Sequence, residues 1–165
     1  MMTKAKPLEC PPRVVEKAWV DFNGHMNMAY YHLLFDESLD VIFSDLGTGW
    51  EYTRQGLGSC FAAEVHVCYI DELKQDAPVR ITYQLLDWDA KRIHVFGHMY
   101  HAETGELAAT SEQMCIHVDL TTRRAAPFPE TVQTKISALM ESHKALARPD
   151  QAGRVIGIKR KASVA

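Results

Sequence analysis

Between residues 28 and 46 apolar side chains recur at three- and four-residue steps: Tyr31, Leu34, Phe35, Leu39, Ile42, Phe43 and Leu46. That spacing predicts an amphipathic helix with one stripe turned to a core. Gly47 is a natural stop. Residues 50–58 read as a loop or a short turn of helix. The period then shortens toward two, and four strands follow in series over 60–71, 78–88, 91–101 and 107–120. Asp87-Trp88-Asp89-Ala90 and Ala102-Glu103-Thr104-Gly105 carry turn chemistry and join them as hairpins. An earlier strand is expected over 13–20, and a last amphipathic helix over 129–147. The expected order is therefore strand, long helix, four antiparallel strands and a C-terminal helix, an α+β domain with the long helix packed on one sheet face. On the third of the four strands, Ile93, Val95, Gly97 and Met99 share a face. A glycine in its middle would let a helix backbone approach closely.

Residues 1–11 read as an N-terminal arm ending at Pro11-Pro12, 12–148 as the domain, and 149–165 as a flexible tail containing Lys159-Arg160-Lys161. At 165 residues and 47% hydrophobic content the chain can build one core. A net charge of −3 gives no electrostatic case for nucleic acid or membrane partners. No apolar run approaches the length of a membrane span. The four cysteines, Cys10, Cys60, Cys68 and Cys115, lack C-x-x-C spacing. They read as reduced thiols of a cytoplasmic protein, and the absence of an apolar stretch behind the basic N-terminus fits that location.

The chemistry concentrates in Val20-Asp21-Phe22-Asn23-Gly24-His25-Met26-Asn27, directly before the long helix. A carboxylate there can face a reacting carbonyl, while the unsatisfied N–H groups of the helix's first turn polarise its oxygen. Met28 and Ala29 are the backbone candidates for that oxyanion role. Asn27 suits a helix cap. Two carboxylates, Glu64 and Glu112, fall within apolar strand runs and need partners there. A quaternary ammonium group, held by acids and by rings such as Tyr30, Tyr31 and Trp50, is one such partner; a basic side chain or a histidine across the sheet is another. His94 and His98 share a strand face but are too far apart for one metal ion, so no metal site is expected.

The pattern Asp-x-x-Gly-His-x-Asn before an aromatic-rich helix resembles the hotdog-fold acyl-CoA thioesterases of the 4-hydroxybenzoyl-CoA thioesterase type. Three segments, 19–26, 91–96 and 109–119, resemble the betainyl-CoA thioesterase domain associated with carnitine dehydrogenase. The resemblance covers roughly residues 12–130. It implies a five-stranded antiparallel sheet wrapped round one long central helix. It also implies thioester hydrolysis to CoA and a carboxylate, glycine betaine from betainyl-CoA, without a cofactor. On it, Asp21 is the carboxylate that activates water or attacks the carbonyl, with His25 and Asn23 as helpers. Arg92 and Arg124 are candidate contacts for the phosphates of CoA, and a homodimer or homotetramer with active sites at the interface is expected. The family often has a second aspartate two residues before the catalytic one; here that place holds Trp19. Other short-chain or aromatic acyl-CoAs, and an acyl-CoA-binding role without catalysis, are the competing readings.

Overall fold

The computed structural model describes residues 5–158; the Lys159-Arg160-Lys161 run lies outside them. The long helix, α1, spans Met28–Leu46. Its buried side chains include all seven of the expected stripe, together with Ser38. Ser38 is the point where the chain before the helix comes near, for the Cys10 thiol reaches its carbonyl at 3.7 Å. Gly47 ends the helix in the left-handed region (φ 96°), and its N–H bonds to the carbonyls of Phe43 and Ser44. A short helix, α2, follows over Trp50–Arg54.

The sheet is antiparallel. Two-residue strands β1 (Leu8–Glu9) and β2 (Arg13–Val14) lie along one edge. The long strands are β3 (Gly58–Tyr69), β4 (Pro78–Trp88), β5 (Arg92–His101) and β6 (Leu107–Asp119). The order is β1-β4-β5-β6-β3, with β2 also on β4, and a two-residue β7 (Arg124–Ala125) on β6. Helix α3 (Glu130–His143) is the last helix among the described residues. It buries Val132 and Ile136, and its Lys135 ammonium bonds to the Asp45 carbonyl of α1.

Three expectations about the chain's ends change. The strand expected over 13–20 shrinks to Arg13–Val14, because residues Lys17–Trp19 wind into a 3₁₀ turn that buries Trp19. Part of the arm expected over 1–11, Leu8–Glu9, joins the sheet. Leu8 and Glu9 pair with Tyr83 and Thr82, and the Cys10 N–H bonds to Ile81. An open β4 edge needs such a cover, and Pro11-Pro12, without N–H donors, splits it in two. The tail expected to start at 149 stays on the sheet for some residues more. Gln151 accepts from the Thr110 hydroxyl at 3.0 Å, and the Gly153 N–H bonds to a Glu112 oxygen at 2.7 Å.

Gly97 permits a close approach, though of rings rather than of helix backbone. A Cβ there would lie 2.8 Å from the Tyr83 ring and 3.0 Å from the Phe35 ring. Tyr83 is the cross-strand neighbour of Gly97. Its ring packs over the bare backbone and its hydroxyl donates to the Phe35 carbonyl at 2.8 Å. The Gln113 amide in turn donates to the Tyr83 hydroxyl at 3.1 Å. A fully buried polar network thus ties β4 and β6 to the middle of α1, with its groups satisfied.

The four cysteines are free. Burial pushes the Cys10 and Cys60 thiols up to about 11 and Cys115 to about 12. Such thiols stay protonated and inert at neutral pH.

His143, at the end of α3, is buried, and its Nδ1 accepts the Leu85 N–H at 2.9 Å. Burial pushes its proton affinity below the ordinary value, against a weaker upward pull from the Lys6 backbone. The unfolded chain therefore takes a proton here near pH 6.5, whereas the folded chain does so only at lower pH. Between those two points the unfolded state holds more protons, so stability falls as pH drops. The melting temperature is expected to decline from pH 7 to pH 5, and less steeply in His143→Gln, which keeps an acceptor but does not titrate. Equal slopes in the two proteins would rule His143 out as the cause.

Candidate active site

The loop before α1 is a tight hairpin. Val20 and Met26 form a bridge, and the Asp21 N–H bonds to the His25 carbonyl at 3.1 Å. The turn closes through Gly24 N–H to the Asp21 carbonyl at 3.0 Å, with Gly24 at φ 84°. Aspartate opens and glycine ends this four-residue turn, as turn chemistry favours. The Asp21 carboxylate accepts the Asn23 N–H at 2.8 Å, which fixes its rotamer. Both arms of the hairpin are anchored. Asn27 N–H bonds to the Trp19 carbonyl at 2.9 Å, and Met26 N–H to the Leu73 carbonyl at 2.7 Å. Asp21 and His25 therefore face solvent from a held frame, across one hairpin from each other.

Asn27 caps α1, its Oδ1 accepting the Ala29 N–H at 3.0 Å. This corrects one expectation. The Ala29 donor is engaged, which leaves Met28, whose N–H has no intrahelical acceptor at the first helical position, as the remaining backbone candidate of the two. Trp19, in the place where the family often has an acid, is buried and stacks on Tyr30 with ring centroids 5.5 Å apart. Tyr30 thus braces the base of the hairpin.

Beside the hairpin opens a cavity of about 400 Å³ whose lining includes His25, Met28, Tyr31, Tyr69, Asp71 and Glu72. The Tyr31 and Tyr69 rings meet edge to face at 5.5 Å and 81°. Tyr31 is almost fully buried and pinned at its hydroxyl, which accepts the Leu73 N–H at 2.9 Å and donates to the Asp71 carbonyl at 3.2 Å. The Tyr69 hydroxyl reaches the Met28 carbonyl at 3.3 Å. Among the described residues, neither Asp71 nor Glu72 takes part in an ion pair.

Of the candidates from the sequence, His25, Met28 and Tyr31 line this cavity together; Tyr69, Asp71 and Glu72, which the sequence did not single out, line it with them. The available signal was an aromatic residue and two acids at the end of a strand. Asp21 and Asn23 flank the cavity on the hairpin without lining it.

The other candidates go elsewhere. Glu112 lies on the sheet face away from α1, paired with His94 Nε2 at 2.8 Å and with the Gly153 N–H. The histidine partner is the one realised. Glu64, on the same face, lines a second cavity of about 310 Å³ with His66, His94 and Glu112 under the C-terminal segment. Parity separates these acids from the helix side: on β6 it is Ser111, Gln113 and Cys115 that are buried toward the core network. Trp50, 76% exposed, starts α2 beyond the far end of α1, about 28 Å along the helix from Asn27. Arg92 is exposed at a hairpin turn, and its Nε and Nη2 both donate to Asp89 Oδ2, which helps hold that carboxyl down at about 2. Arg124 is exposed on β7. Within one copy, neither arginine lines the hairpin cavity. Among the described residues, no cluster of three or more metal-binding side chains is present, and no helix is long and apolar enough to cross a membrane.

Comparison with known proteins matches residues 15–136 to the Thioesterase-like superfamily. A betainyl-CoA thioesterase of Pseudomonas aeruginosa is 39% identical over 140 residues, 85% of this chain and 88% of that protein. An L-carnitine dehydrogenase/betainyl-CoA thioesterase of Rhizobium is 38% identical over 155 residues, 94% of this chain; the chain spans only 31% of that protein's length. Among solved structures, a hypothetical protein of Staphylococcus aureus in complex with CoA shares the fold. Its TM-score is 0.89 at 26% identity, covering 96% of this chain and 99% of that one. A family match of this reach, on a sheet wrapped round one capped helix, means that the chain belongs to the Thioesterase-like superfamily and has its hotdog fold.

Proposed function

We propose that this protein is a cytoplasmic acyl-CoA thioesterase that hydrolyses betainyl-CoA to CoA and glycine betaine. The observation that carries the reading is the anchored Asp21–His25 hairpin set against the N-terminus of α1 and an aromatic, acidic cavity. The ionised Asp21 drives attack on the thioester carbonyl, either by taking a proton from water or by bonding to the carbonyl carbon itself. The new C–O bond pushes the carbonyl electrons onto oxygen, to which the Met28 N–H donates a hydrogen bond. The oxyanion collapses, the C–S bond breaks, and His25 supplies a proton to the departing thiolate. Asn23 keeps the Asp21 carboxylate oriented through its N–H. In the nucleophile route, water then hydrolyses the anhydride on Asp21.

A second copy completes the site. The outer edge of β3 is twelve residues long, carries the half-exposed Phe61 and has no partner strand among the described residues. An edge of that length invites pairing. A homodimer formed along it, or a tetramer of such dimers, sets the two α1 N-termini near the seam. Arg92 and Arg124 then remain candidates for the phosphates of CoA bound across it.

The test is thiol release from betainyl-, acetyl-, butyryl-, long-chain and aromatic acyl-CoAs. The expected result is a kcat/KM for betainyl-CoA at least about tenfold above any neutral acyl group, the size of one modest cation-binding interaction. Preference for a neutral acyl group would remove betainyl-CoA as the substrate. Release from none would remove thioester hydrolysis.

A further inference from the structure

The cavity beside the hairpin has a composition that a neutral acyl chain does not need. Two aromatic rings stand nearly perpendicular, so together they make a corner rather than a flat wall. Tyr31 is locked by two hydrogen bonds, and Tyr69 is bonded back to the first residue of α1, so neither ring is free to swing away. The Asp71 carboxylate accepts the Glu72 N–H at 2.9 Å, which holds it at the mouth beside Glu72. Among the described residues, no lysine or arginine lines the cavity. Aromatic faces and unpaired carboxylates both attract a cation, and they do so best where water is partly excluded.

We infer that Tyr31, Tyr69, Asp71 and Glu72 form the subsite for the quaternary ammonium end of the acyl group, a role that rests on the betainyl-CoA reading above. The rings contact the methyl groups of the trimethylammonium head. The two carboxylates supply the countercharge from the mouth without the directional hydrogen bonds that such a head cannot make. The cage sits against Met28, so a short acyl group anchored there lies within reach of the helix N-terminus and the hairpin. It takes over the role that the sequence suggested for Glu64, Glu112 and Trp50, which lie elsewhere in the fold.

The experiment compares betainyl-CoA with 3,3-dimethylbutyryl-CoA, which has the same shape with carbon in place of the charged nitrogen. Wild type, Tyr69→Leu, Tyr69→Phe and the double variant Asp71→Asn/Glu72→Gln are assayed for kcat and KM on both thioesters, with melting temperatures recorded. Wild type is expected to prefer the charged substrate by about thirtyfold. Tyr69→Leu and the double variant each reduce that preference by about tenfold, mainly through KM, whereas Tyr69→Phe, which keeps the ring, holds it within about twofold. Equal losses on both thioesters would make these residues structural and overturn the cage. A wild type that cleaves both thioesters equally well would overturn it too, while leaving thioesterase activity standing. Hydrolysis of neither would remove the underlying reading, and the cage with it.

Discussion

Asp21→Asn is expected to lower kcat for thioester hydrolysis by about 10³, within the span typical of a lost general base, with little change in KM. The substitution isolates charge from shape. An asparagine keeps the oxygen that accepts the Asn23 N–H at 2.8 Å, so the turn closed by Gly24 survives. What disappears is the negative charge needed to pull a proton from water or to bond to the carbonyl. The melting temperature should therefore stay near that of wild type while thiol release collapses. Near-full hydrolysis by the variant would show that Asp21 only shapes the turn, and would move the search for a base to His25. Because the role proposed for Met28 lies in its backbone N–H, no side-chain substitution there tests it directly.

Gly97→Val is expected to destabilise the fold by about 2–3 kcal/mol, through overpacking. For a domain of this size that corresponds to a drop of roughly 5–10 °C in melting temperature. The physical cause is specific. A Cβ at this position lies 2.8 Å from the Tyr83 ring and 3.0 Å from the Phe35 ring, and Tyr83 cannot retreat without losing its bond to the Phe35 carbonyl. Phe35 and Tyr83 are both fully buried, so no open space relieves the clash. The strain enters α1 two turns from its N-terminus, where the cap and the hairpin position the site. Thermal unfolding followed by circular dichroism measures the loss. A melting temperature within 2 °C of wild type would mean that the rings repack freely and that Gly97 has no such role.

These two positions show how differently the chain discloses its parts. The Asp21 loop was legible because its signals are local. Aspartate, asparagine and glycine favour turns through their own backbone and side-chain hydrogen bonds, and Asn27 caps the helix that follows. The α1 stripe and the four long strands were legible for a similar reason, since burial on one face imposes a period. Gly97 stood out as a gap in an apolar face, yet only the cross-strand register that sets Tyr83 opposite reveals what fills the gap. At the chain's start the local signal misled. Residues 13–20 look like one strand, but only Arg13–Val14 pairs with β4, Leu8–Glu9 covers the rest of that edge, and Trp19 turns inward to stack on Tyr30.

The sequence by itself determined the family-like hairpin, the capped helix, the strand series and the place of the candidate carboxylate Asp21 in its turn, because each depends on neighbours a few residues away. Tertiary structure alone decided which acids and rings gather in the cavity beside it. Glu64 and Glu112 lie in apolar runs as if buried for a ligand, but alternation assigns only a face, not which face the helix covers. Packing of α1 on the Gln113 side sends Glu112 outward to His94 and the Gly153 N–H. The length of α1 carries Trp50 away from Asn27. The chain from Tyr69, at the end of β3, to Asp71, forty residues after Tyr31 in sequence, is brought back by the sheet's curl so that the Tyr31 hydroxyl bonds to the Asp71 carbonyl and Tyr69 closes the corner. Such contacts depend on how the whole sheet wraps the helix, a property that no local pattern of residues encodes.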